Sequence, residues 1–434
     1  MKSSSKSSTR LDTVIVGAGM AGLIAARALA EVGVRVAVLE ARGRIGGRIL
    51  THRSGGHPLE LGAEFIHGRP PELWALIAET GLDTYERKGS PACFEDGSLR
   101  RCNPGEHAFS LLEGLENPPD PDLSFTQYLS TLKASDSERS FLLGFVEGFN
   151  AADASQISSA SLGAQQKAED AEQGDHSFYL SSGYDRLAEY LAGRIVDYGG
   201  SIRLNSPVRE IRWTPSSAKI VDHKQTFTAR HVVVTLPLGV LQAETVVIEP
   251  RPEAILQAAS QLRMGHVTRF TLLFREAFWT KLPPSSPLED MGFLFSFSEA
   301  PPVWWTTHPH PSPVLTGWVG GPRSAALSGL TSGELAEKAC STLARIFNLE
   351  APQVRDLLLS CHTHDWSKDP FTLGAYSYVA TGGLDASRQL SQPVANTLFF
   401  AGEHTDTTGS WGTVHAAIRS GLRAAQQILD LPAQ

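Results

Sequence analysis

The stretch Thr13–Gly22, TVIVGAGMAG, decides the fold class of this chain. Its β-branched run ends in the pattern G-x-G-x-x-G, and helix-forming residues follow as far as Val32. A second apolar run, Val34–Leu39, comes next and is followed by Glu40. Strand, tight turn, helix and strand in this order form a βαβ unit. The sequence therefore predicts an α/β fold with a Rossmann-like domain.

The glycines of this turn have separate expected roles. Gly17 permits the sharp turn, Gly19 lets a pyrophosphate approach the backbone, and Gly22 lets the helix pack closely on the strand. The helix N-terminus then faces the phosphate charge. Glu40 lies near the offset of about 20 residues at which a carboxylate accepts hydrogen bonds from a ribose. These features predict a bound dinucleotide.

Length and composition narrow the class of protein. The chain has 434 residues, which suit two interleaved domains, and 41% hydrophobic with 19% charged residues is ordinary for a globular enzyme. The formal net charge of -8 is spread without long acidic runs and argues against nucleic acid as a partner. No apolar run reaches the ~20 residues that span a bilayer, so no membrane partner is expected. The sequence carries no signal of oligomeric state.

The cysteines predict neither a metal site nor a disulfide framework. Cys93, Cys102, Cys340 and Cys361 have no metal-ligand spacing and are few for a chain of this length. Residues 1–10 are rich in Ser and Lys and lack the apolar segment of a signal peptide. We therefore expect reduced thiols in a soluble, cytoplasmic protein.

Strand and helix signals predict that two domains alternate along the chain. The nucleotide-binding domain is expected to comprise residues 11–81, 182–249 and 365–434. The other domain is expected to comprise a mainly helical part, 82–181, and an antiparallel-sheet part, 250–364.

Particular elements are predicted within these parts. Helical periodicity covers Phe125–Phe149, and the residues between Glu40 and Pro58 are read as loop. A strand is predicted over Ser201–Arg212 and a closing helix over Val414–Leu429.

The segment Val38–Arg48, VLEARGRIGGR, resembles the signature of the flavin amine oxidase superfamily, and nicotinamide dehydrogenases do not carry it there. Backbone amides of its two glycines and an arginine are suited to cover a diphosphate and a flavin. Glu60–Gly68 resembles the stretch beside the flavin in polyamine oxidases. Pro207–Ile211 resembles the strand whose Val208 backbone contacts adenine. The resemblance covers about residues 11–430.

Two later segments complete the resemblance. Asp365–Tyr378 is similar to the family segment that places a tryptophan against the isoalloxazine ring. Ala401–Thr405, together with Gly412–His415, resembles the closing FAD motif, in which a helix N-terminus stabilises negative charge on reduced flavin. The family's thioether link to flavin cannot form between Gly402 and His415, because no cysteine lies there.

The resemblance implies non-covalent FAD and an α/β fold in which a Rossmann-like FAD-binding domain is interleaved with a mixed α+β substrate domain. The FAD contacts that it implies are Gly17, Gly19, Ala21, Gly22, Glu40, Ala41, Arg42, Gly46, Gly47, Arg48, Gly62, Ala63, Glu64, Val208, Trp366, Gly402, Glu403, Gly412, Thr413 and Val414.

The resemblance also implies oxidation of a small amine by hydride transfer from the carbon next to nitrogen to flavin N5, giving an imine. Trp366, Trp411 and Tyr376 are the candidate aromatic walls, since aromatic faces attract cations and orient apolar chains; Tyr376 is equally well explained as core. His67 occupies the position at which polyamine oxidases place a histidine facing substrate nitrogens, and a group titrating near neutral pH suits that role. Glu64 is expected to pair with a substrate ammonium or with loop amides.

One residue departs from the family pattern. The family usually has a lysine, bonded through water to flavin N5, at the position that Arg269 occupies here. Arginine cannot act as a base, and its planar fork suits a carboxylate better than a single water. Arg269 is therefore expected to hold a water as donor, to keep positive charge near reduced flavin, or to grip an acidic substrate group. The protein could therefore be an oxidase that uses O2 as electron acceptor or a dehydrogenase, and both alternatives stay open.

Two further functions stay open. The same FAD fold serves desaturases and C–C dehydrogenases, which generally lack the Trp366 segment combined with Gly402–Thr405; this favours amines, whereas a hydrophobic substrate tunnel would favour the C–C reaction. Arg269 also motivates a flavin-binding interaction protein that has lost catalysis.

Overall fold

The structure is a computed structural model that describes residues 11–103, 106–282 and 288–432. Its strands are β1 Leu11–Val16, β2 Val36–Leu39, β3 Thr51–Ser54, β4 His57–Glu60, β5 Ile66–His67, β6 Thr84–Glu86, β7 Ser90–Glu95, β8 Ser98–Arg101, β9 Ser177–Leu180, β10 Ser201–Arg203, β11 Glu210–Thr214, β12 Ser217–Val221, β13 Thr226–Val234, β14 Val247–Glu249, β15 Leu262–Met264, β16 Val267–Phe274, β17 Met291–Phe295, β18 Val303–Thr306, β19 Val314–Gly320, β20 Leu358–Thr363, β21 Ser377–Val379 and β22 Leu398–Phe400. Its α-helices are α1 Met20–Glu31, α2 Pro71–Thr80, α3 Glu106–Ser110, α4 Phe125–Thr131, α5 Asp136–Asn150, α6 Ser159–Ala171, α7 Asp185–Asp197, α8 Leu238–Gln242, α9 Glu253–Ala259, α10 Ser332–Phe347, α11 Ala351–Leu357, α12 Ala386–Leu390 and α13 Val414–Leu429. Its 3₁₀ helices are Glu113–Glu116, Phe278–Lys281, Gly321–Ala326 and Glu403–Thr405.

The first sheet confirms the predicted α/β class. Its strand order is β10-β2-β1-β13-β12-β11-β14, and β22 also pairs with β13. The strands β10, β2, β1, β13 and β22 are parallel, and the β1–α1–β2 unit is the predicted βαβ unit. Val14 and Ile15 of β1 are fully buried because helices and strands cover both faces of the sheet. Gly421 on α13 lets this helix approach α1, since a Cβ there would lie 2.4 Å from the Ala21 carbonyl oxygen.

The second sheet has the order β20-β16-β19-β18-β17-β7-β8. Its neighbours pair antiparallel, as predicted, except that β17 and β7 run parallel. The part expected to be mainly helical, 82–181, also contains the strands β6 to β9. These strands are short and form by pairing with distant segments, which a local sequence pattern does not reveal. The five-part domain division stays a prediction.

Three local predictions need correction. The helix predicted over Phe125–Phe149 is two helices, because Ser135 starts α5 with a capping box: its hydroxyl accepts from the Glu138 amide, and the Glu138 side chain accepts from the Ser135 amide. The loop predicted up to Pro58 contains the hairpin of β3 and β4. The strand predicted over Ser201–Arg212 is broken, since its middle residues belong neither to β10 nor to β11. Asn205, with φ of 52°, turns the chain within this break.

The expectation of four reduced thiols is wrong for one pair. Cys93 and Cys102 form a disulfide across the hairpin of β7 and β8, with Cα atoms 5.7 Å apart, while Cys340 and Cys361 are free. Hairpin register, which spacing alone does not give, brings the two cysteines together. Cytoplasmic localisation stays a prediction. Within the three ranges that the structure describes, no helix is both long and apolar enough to cross a membrane.

Glu60→Gln is expected to change how the stability of the fold depends on pH. Glu60 is buried on β4 and accepts hydrogen bonds from the Tyr184 amide at 2.7 Å and the Thr51 hydroxyl at 2.8 Å. Burial raises the pKa of the Glu60 carboxyl to about 7, from an ordinary value of 4.5. Because the folded pKa is the higher one, the stability that this group contributes is fully present below pH 4.5 and is lost as pH rises through 7.

Thermal unfolding at pH 5 and pH 8 tests this prediction. Glu60→Gln cannot ionise, so its free energy of unfolding relative to the native protein should rise between the two pH values, by at most about 3 kcal/mol. Glu189→Gln, at an exposed site of α7, is the control. Equal pH profiles for the native protein and Glu60→Gln would contradict the prediction.

Candidate active site

A single continuous cavity of about 900 Å³ contains almost all of the predicted site residues. It extends from the glycine turn after β1 to the aromatic residues of the second sheet. Gly22 is the exception: a Cβ there would lie 2.0 Å from the Gly17 carbonyl oxygen, so Gly22 serves packing. The predicted residues that line the cavity are Gly17, Gly19, Ala21, Glu40, Ala41, Arg42, Gly46, Gly47, Arg48, Gly62, Ala63, Glu64, His67, Val208, Arg269, Trp366, Tyr376, Gly402, Glu403, Trp411, Gly412, Thr413 and Val414.

Two glycine-rich loops form one end of the cavity. The Gly46 amide donates to the Ala18 carbonyl at 2.8 Å, which joins the loop after β2 to the turn after β1. A Cβ on Gly47 would lie 3.1 Å from the Gly19 Cα, whereas a Cβ on Gly19 would meet nothing closer than 4.0 Å. Gly19 is therefore free of side-chain crowding from the protein itself, and its open face suits a pyrophosphate.

Glu40 is held rigidly at the end of β2. One carboxylate oxygen accepts from the Ala18 amide at 2.8 Å and the other from the Arg42 amide at 2.9 Å. The Arg42 guanidinium in turn binds Asp369 at 2.6 Å and Thr372 at 2.7 Å. Each oxygen of Glu40 keeps a lone pair for a further donor, which fits a ribose diol.

Glu403 connects three segments around the cavity. Its carboxylate accepts from Arg48 at 2.7 Å, from the Ser377 hydroxyl at 2.6 Å and from the Gly412 amide at 2.9 Å. Burial alone would raise the pKa of Glu403, but Arg48, His404 and these hydrogen bonds hold it below its ordinary value. One carboxylate therefore connects three segments: the loop that carries Arg48, strand β21, and the residues just before α13.

The N-terminus of α13 faces the cavity, as predicted. Thr413 is the N-cap residue, and its hydroxyl accepts from the Ala416 amide at 3.1 Å. Gly412, Thr413 and Val414 all line the cavity. The positive end of the helix dipole is therefore available to an anionic group bound there.

The three predicted aromatic walls, Trp366, Tyr376 and Trp411, all line the cavity. Trp366 is almost fully buried, and its indole N–H donates to the Leu61 carbonyl at 2.8 Å. The Trp411 indole N–H donates to the Ser387 hydroxyl at 2.9 Å. Tyr376 lies beside Gly412, where a Cβ would come within 2.8 Å of the tyrosine ring. Because the polar atoms of all three rings find protein partners, their faces are left for apolar or cationic groups.

Arg269 and Glu64 form a buried ion pair with an N–O distance of 2.7 Å. Arg269 also donates to the Gly62 carbonyl at 2.7 Å, and Glu64 accepts from the Trp305 indole N–H at 2.9 Å. Burial raises the pKa of the Glu64 carboxyl, although Arg269 and Trp305 oppose the change. Arg269 was expected, as one alternative, to grip an acidic group of the substrate, but its guanidinium binds the Glu64 carboxylate of the protein instead. Its Nε atom is buried and has no partner among the described residues.

His67 lies on β5 and contacts the rings of Phe65 and Phe149, with centroid distances of 5.8 Å and 6.0 Å. Burial, and then the charge of Arg87, lowers the pKa of His67 to about 4. The expectation that His67 titrates near neutral pH is therefore wrong, and its imidazole is neutral at pH 7.

Sequence reasoning missed several residues of the cavity. Trp305 and Arg87 line it, as do phenylalanines of α5 and of the segment around β17. The residues at 293, 295 and 297 alternate in the sequence, which is the signal that could have placed them on one face of a strand. Nothing in the sequence indicates that Trp305 meets Glu64, 241 residues away.

The cavity fits an extended flavin dinucleotide. The open Gly19 face, the fixed Glu40 and the helix N-terminus at Thr413 suit its pyrophosphate, ribose and pyrimidine end. No cysteine is among the described residues that line the cavity, so none can form a thioether there. This fold and this site define an FAD-dependent oxidoreductase.

Comparison with known proteins identifies the family of this chain. The family model for flavin containing amine oxidoreductases matches residues 20–429. The chain is 30% identical to polyamine oxidase 2 of Arabidopsis thaliana over 95% of its own length and 87% of that protein. It is 28% identical to a lysine-specific histone demethylase 1 homolog of Oryza sativa subsp. japonica, over 96% of its own length and 56% of that protein.

Solved structures share the fold. A putrescine oxidase bound to putrescine superposes with a TM-score of 0.82 at 24% identity, covering 97% of this chain and 99% of that one. The cyclohexylamine oxidase of Brevibacterium oxydans gives the same TM-score at 23% identity, covering 96% and 98%. The chain belongs to the flavin containing amine oxidoreductase family and is a flavin-dependent amine oxidase with FAD as its cofactor.

Proposed function

We propose that this enzyme oxidises a primary or secondary amine at the carbon next to nitrogen, producing an imine that water hydrolyses. FAD, when bound, supplies the two-electron acceptor for the hydride that leaves this carbon. The observation that carries the proposal is the single cavity that joins the nucleotide loops to the chamber of Trp366, Tyr376 and Trp411.

The residues of the chamber orient the amine and control its protonation. Aromatic faces of Trp366, Tyr376 and Trp411 confine the substrate, and close confinement excludes competing water. Hydride transfer needs the neutral amine. Arg87 lines the cavity, and positive charge together with burial lowers the pKa of a bound ammonium. The neutral His67 is available to share a hydrogen bond with the amine nitrogen.

Anaerobic mixing of the holoenzyme with a panel of amines tests the proposal. Bleaching of the flavin absorbance, with one imine or aldehyde formed per flavin reduced, is the expected result. Absence of bleaching by every amine of the panel would overturn it and would leave a flavin-binding protein without amine chemistry.

A second candidate function is the dehydrogenation of a C–C bond. The phenylalanines of the cavity favour it, because they form the kind of apolar chamber that such a substrate needs. The same experiment separates the two: a substrate that bleaches the flavin and gains a C=C bond while keeping its nitrogen would assign the C–C reaction.

Arg269→Lys is expected to retain FAD and to speed reoxidation of the reduced enzyme by O2 by about tenfold, that is, by ~1.4 kcal/mol in activation free energy. A lysine keeps the positive charge but cannot bind both Gly62 and Glu64 through one planar fork. Its compact ammonium leaves room for a water molecule in the chamber. Stopped-flow reoxidation measures the effect.

Arg275→Lys, at an exposed site just after β16, is the matched control and should behave like the native protein. Unchanged rates of both flavin reduction and reoxidation in Arg269→Lys would remove Arg269 from the mechanism.

A further inference from the structure

One row of phenylalanines lies along α5. Phe141, Phe145 and Phe149 follow one another at intervals of four residues and so share a face of the helix. All three line the cavity, and the rings of Phe145 and Phe149 are stacked with centroids 5.7 Å apart. The opposite face, with Leu142 and Val146, packs into the protein core. Phe149 remains 41% exposed, although its neighbours on the core side are fully buried.

A second row lies on β17 and the residues that follow it. Phe293, Phe295 and Phe297 alternate along the chain, and each is stacked on the next with centroids 5.7 Å apart. The intervening residues, Leu294 and Ser296, are fully buried on the other side. The period of two thus directs every phenyl ring of this row to the cavity.

The two rows join into a closed ring. At one end Phe297 meets Phe141, with centroids 5.4 Å apart. At the other end Phe65 meets Phe293 at 6.4 Å and His67 at 5.8 Å, and His67 meets Phe149 at 6.0 Å.

Phe109 packs against this ring, with its centroid 5.5 Å from that of Phe141 and 4.7 Å from that of Phe145. The two rows, together with Phe65, His67 and Phe109, are called the aromatic collar. Every member of the collar lines the same cavity. A ring of apolar side chains around a cavity is an exposed apolar surface that needs an apolar occupant.

The charged residues at the collar disfavour a second ammonium group on the substrate. Arg87 lies over the Phe293 ring at 4.4 Å, and among the described residues it forms no ion pair, although the charge of Glu86 acts on it at longer range. Glu64 is occupied by Arg269, and His67 is neutral. A distal ammonium inside the collar would therefore face the charge of Arg87 and find no free carboxylate.

Besides Glu40 and Glu403, which belong to the nucleotide end, three more carboxylates line the cavity without belonging to the collar. Glu172 binds Arg419 at 2.6 Å, and Glu169 accepts from Gln165 at 2.8 Å. Asp175 is largely exposed to solvent. Two of these carboxylates are thus engaged by protein donors, and the third is solvated.

We propose that the site takes a monoamine whose aryl or alkyl substituent lies inside the aromatic collar, and that it discriminates against polyamines. The inference rests on the proposed amine oxidation and names its substrate class. It sets this chain apart from relatives and structural neighbours whose names specify polyamines or putrescine.

Pentylamine and putrescine form a matched pair of probes, because a terminal methyl in one replaces the terminal ammonium of the other. Anaerobic flavin reduction by the holoenzyme should have a second-order rate constant at least about tenfold higher for pentylamine, since burying an unpaired ammonium is costly. Along the series from propylamine to hexylamine it should rise about fourfold with each added methylene. A rate constant for putrescine equal to or above that for pentylamine would overturn the inference and leave amine oxidation standing. Reduction by neither probe nor any other amine would instead overturn the proposed function.

Two variants test the collar itself. In Phe295→Leu, the rate constant of flavin reduction should increase less with each added methylene than in the native enzyme. In Arg87→Gln, the ratio of the rate constant for pentylamine to that for putrescine should fall about tenfold. Leu359→Ala, exposed on β20 and away from the cavity, is the control and should change neither. Bound flavin and thermal unfolding establish that each variant is folded. The collar's role would be overturned if the folded variants kept the native dependence of the rate constant on chain length and the native ratio of pentylamine to putrescine rate constants.

Discussion

Gly22→Ala is expected to prevent folding of the FAD-binding domain. The added methyl would lie 2.0 Å from the Gly17 carbonyl oxygen and 3.2 Å from the Ile15 side chain. Neither can move away, because the Gly17 amide is bonded to the Leu39 carbonyl at 2.8 Å and Ile15 is fully buried in β1. Such a clash of a methyl group with a backbone oxygen in the core should cost more than about 4 kcal/mol. The expected outcome is insoluble protein without bound flavin.

Gly19→Ala should separate folding from cofactor binding. A methyl at Gly19 meets nothing closer than 4.0 Å within the protein, so the fold tolerates it. The same methyl occupies the face at which a pyrophosphate would approach. We expect soluble, cooperatively unfolding apoprotein whose Kd for FAD rises at least about 100-fold, that is, by ~2.7 kcal/mol.

Gly193→Ala is the matched control for both variants. Gly193 lies within α7, where a Cβ meets nothing, and alanine is the better helix former by about 1 kcal/mol. This variant should bind FAD normally and unfold at a slightly higher temperature. Normal folding of Gly22→Ala, or normal flavin content in Gly19→Ala, would contradict the roles assigned to the two glycines. Flavin absorbance and thermal unfolding of the purified variants decide between these outcomes.

Sequence reasoning correctly predicted those parts of the fold whose geometry depends on residues close together in the sequence. The glycine turn, Glu40 and the strands around them form one contiguous segment, so their geometry follows from spacing. The closing helix, Val414–Leu429, was predicted with the bounds that the structure has, because its apolar period is unbroken. The α/β class follows from these segments, whereas the flavin cofactor was implied by the resemblance of Val38–Arg48 and later segments to a family signature.

The parts that sequence reasoning missed depend on long-range pairing. The ion pair of Arg269 and Glu64 joins residues 205 positions apart. The aromatic collar needs the register that sets β17 beside β7 and the cap at Ser135 that starts α5. The low pKa of His67 depends on burial and on Arg87, which local sequence does not report. The residues of the substrate chamber could therefore be named in part, but their partners could not.

Glu403→Gln is expected to abolish retention of FAD. One carboxylate oxygen accepts from Arg48, and the other accepts from both the Ser377 hydroxyl and the Gly412 amide. An amide offers a single acceptor oxygen, so in either orientation its NH2 group faces a donor. The substitution also removes the anion that Arg48 needs. Breaking a buried ion pair from one side costs about 3–5 kcal/mol.

Ser377→Ala is the graded comparison, because it removes one hydrogen bond and leaves the ion pair intact. Its expected loss is about 1 kcal/mol, so it should still retain FAD through gel filtration. Glu189→Gln removes a carboxylate from an exposed pair with Arg186 and should have little effect. If Glu403→Gln retained as much flavin as Ser377→Ala, the charge of Glu403 would have no special role.

Acid should release FAD from the native enzyme through the same residue. The pKa of Glu403 in the fold lies below its ordinary value of 4.5. A carboxylate with a lowered pKa contributes stability that is present above pH 4.5 and is lost as pH falls through the folded pKa. Flavin fluorescence, which rises as FAD leaves the protein, should therefore increase below pH 4.5 in native enzyme and in Ser377→Ala. Ser377→Ala loses one of the hydrogen bonds that lower the pKa of Glu403, so its release of FAD should begin at a higher pH than in the native enzyme. An identical midpoint in the two proteins would assign acid release to another group.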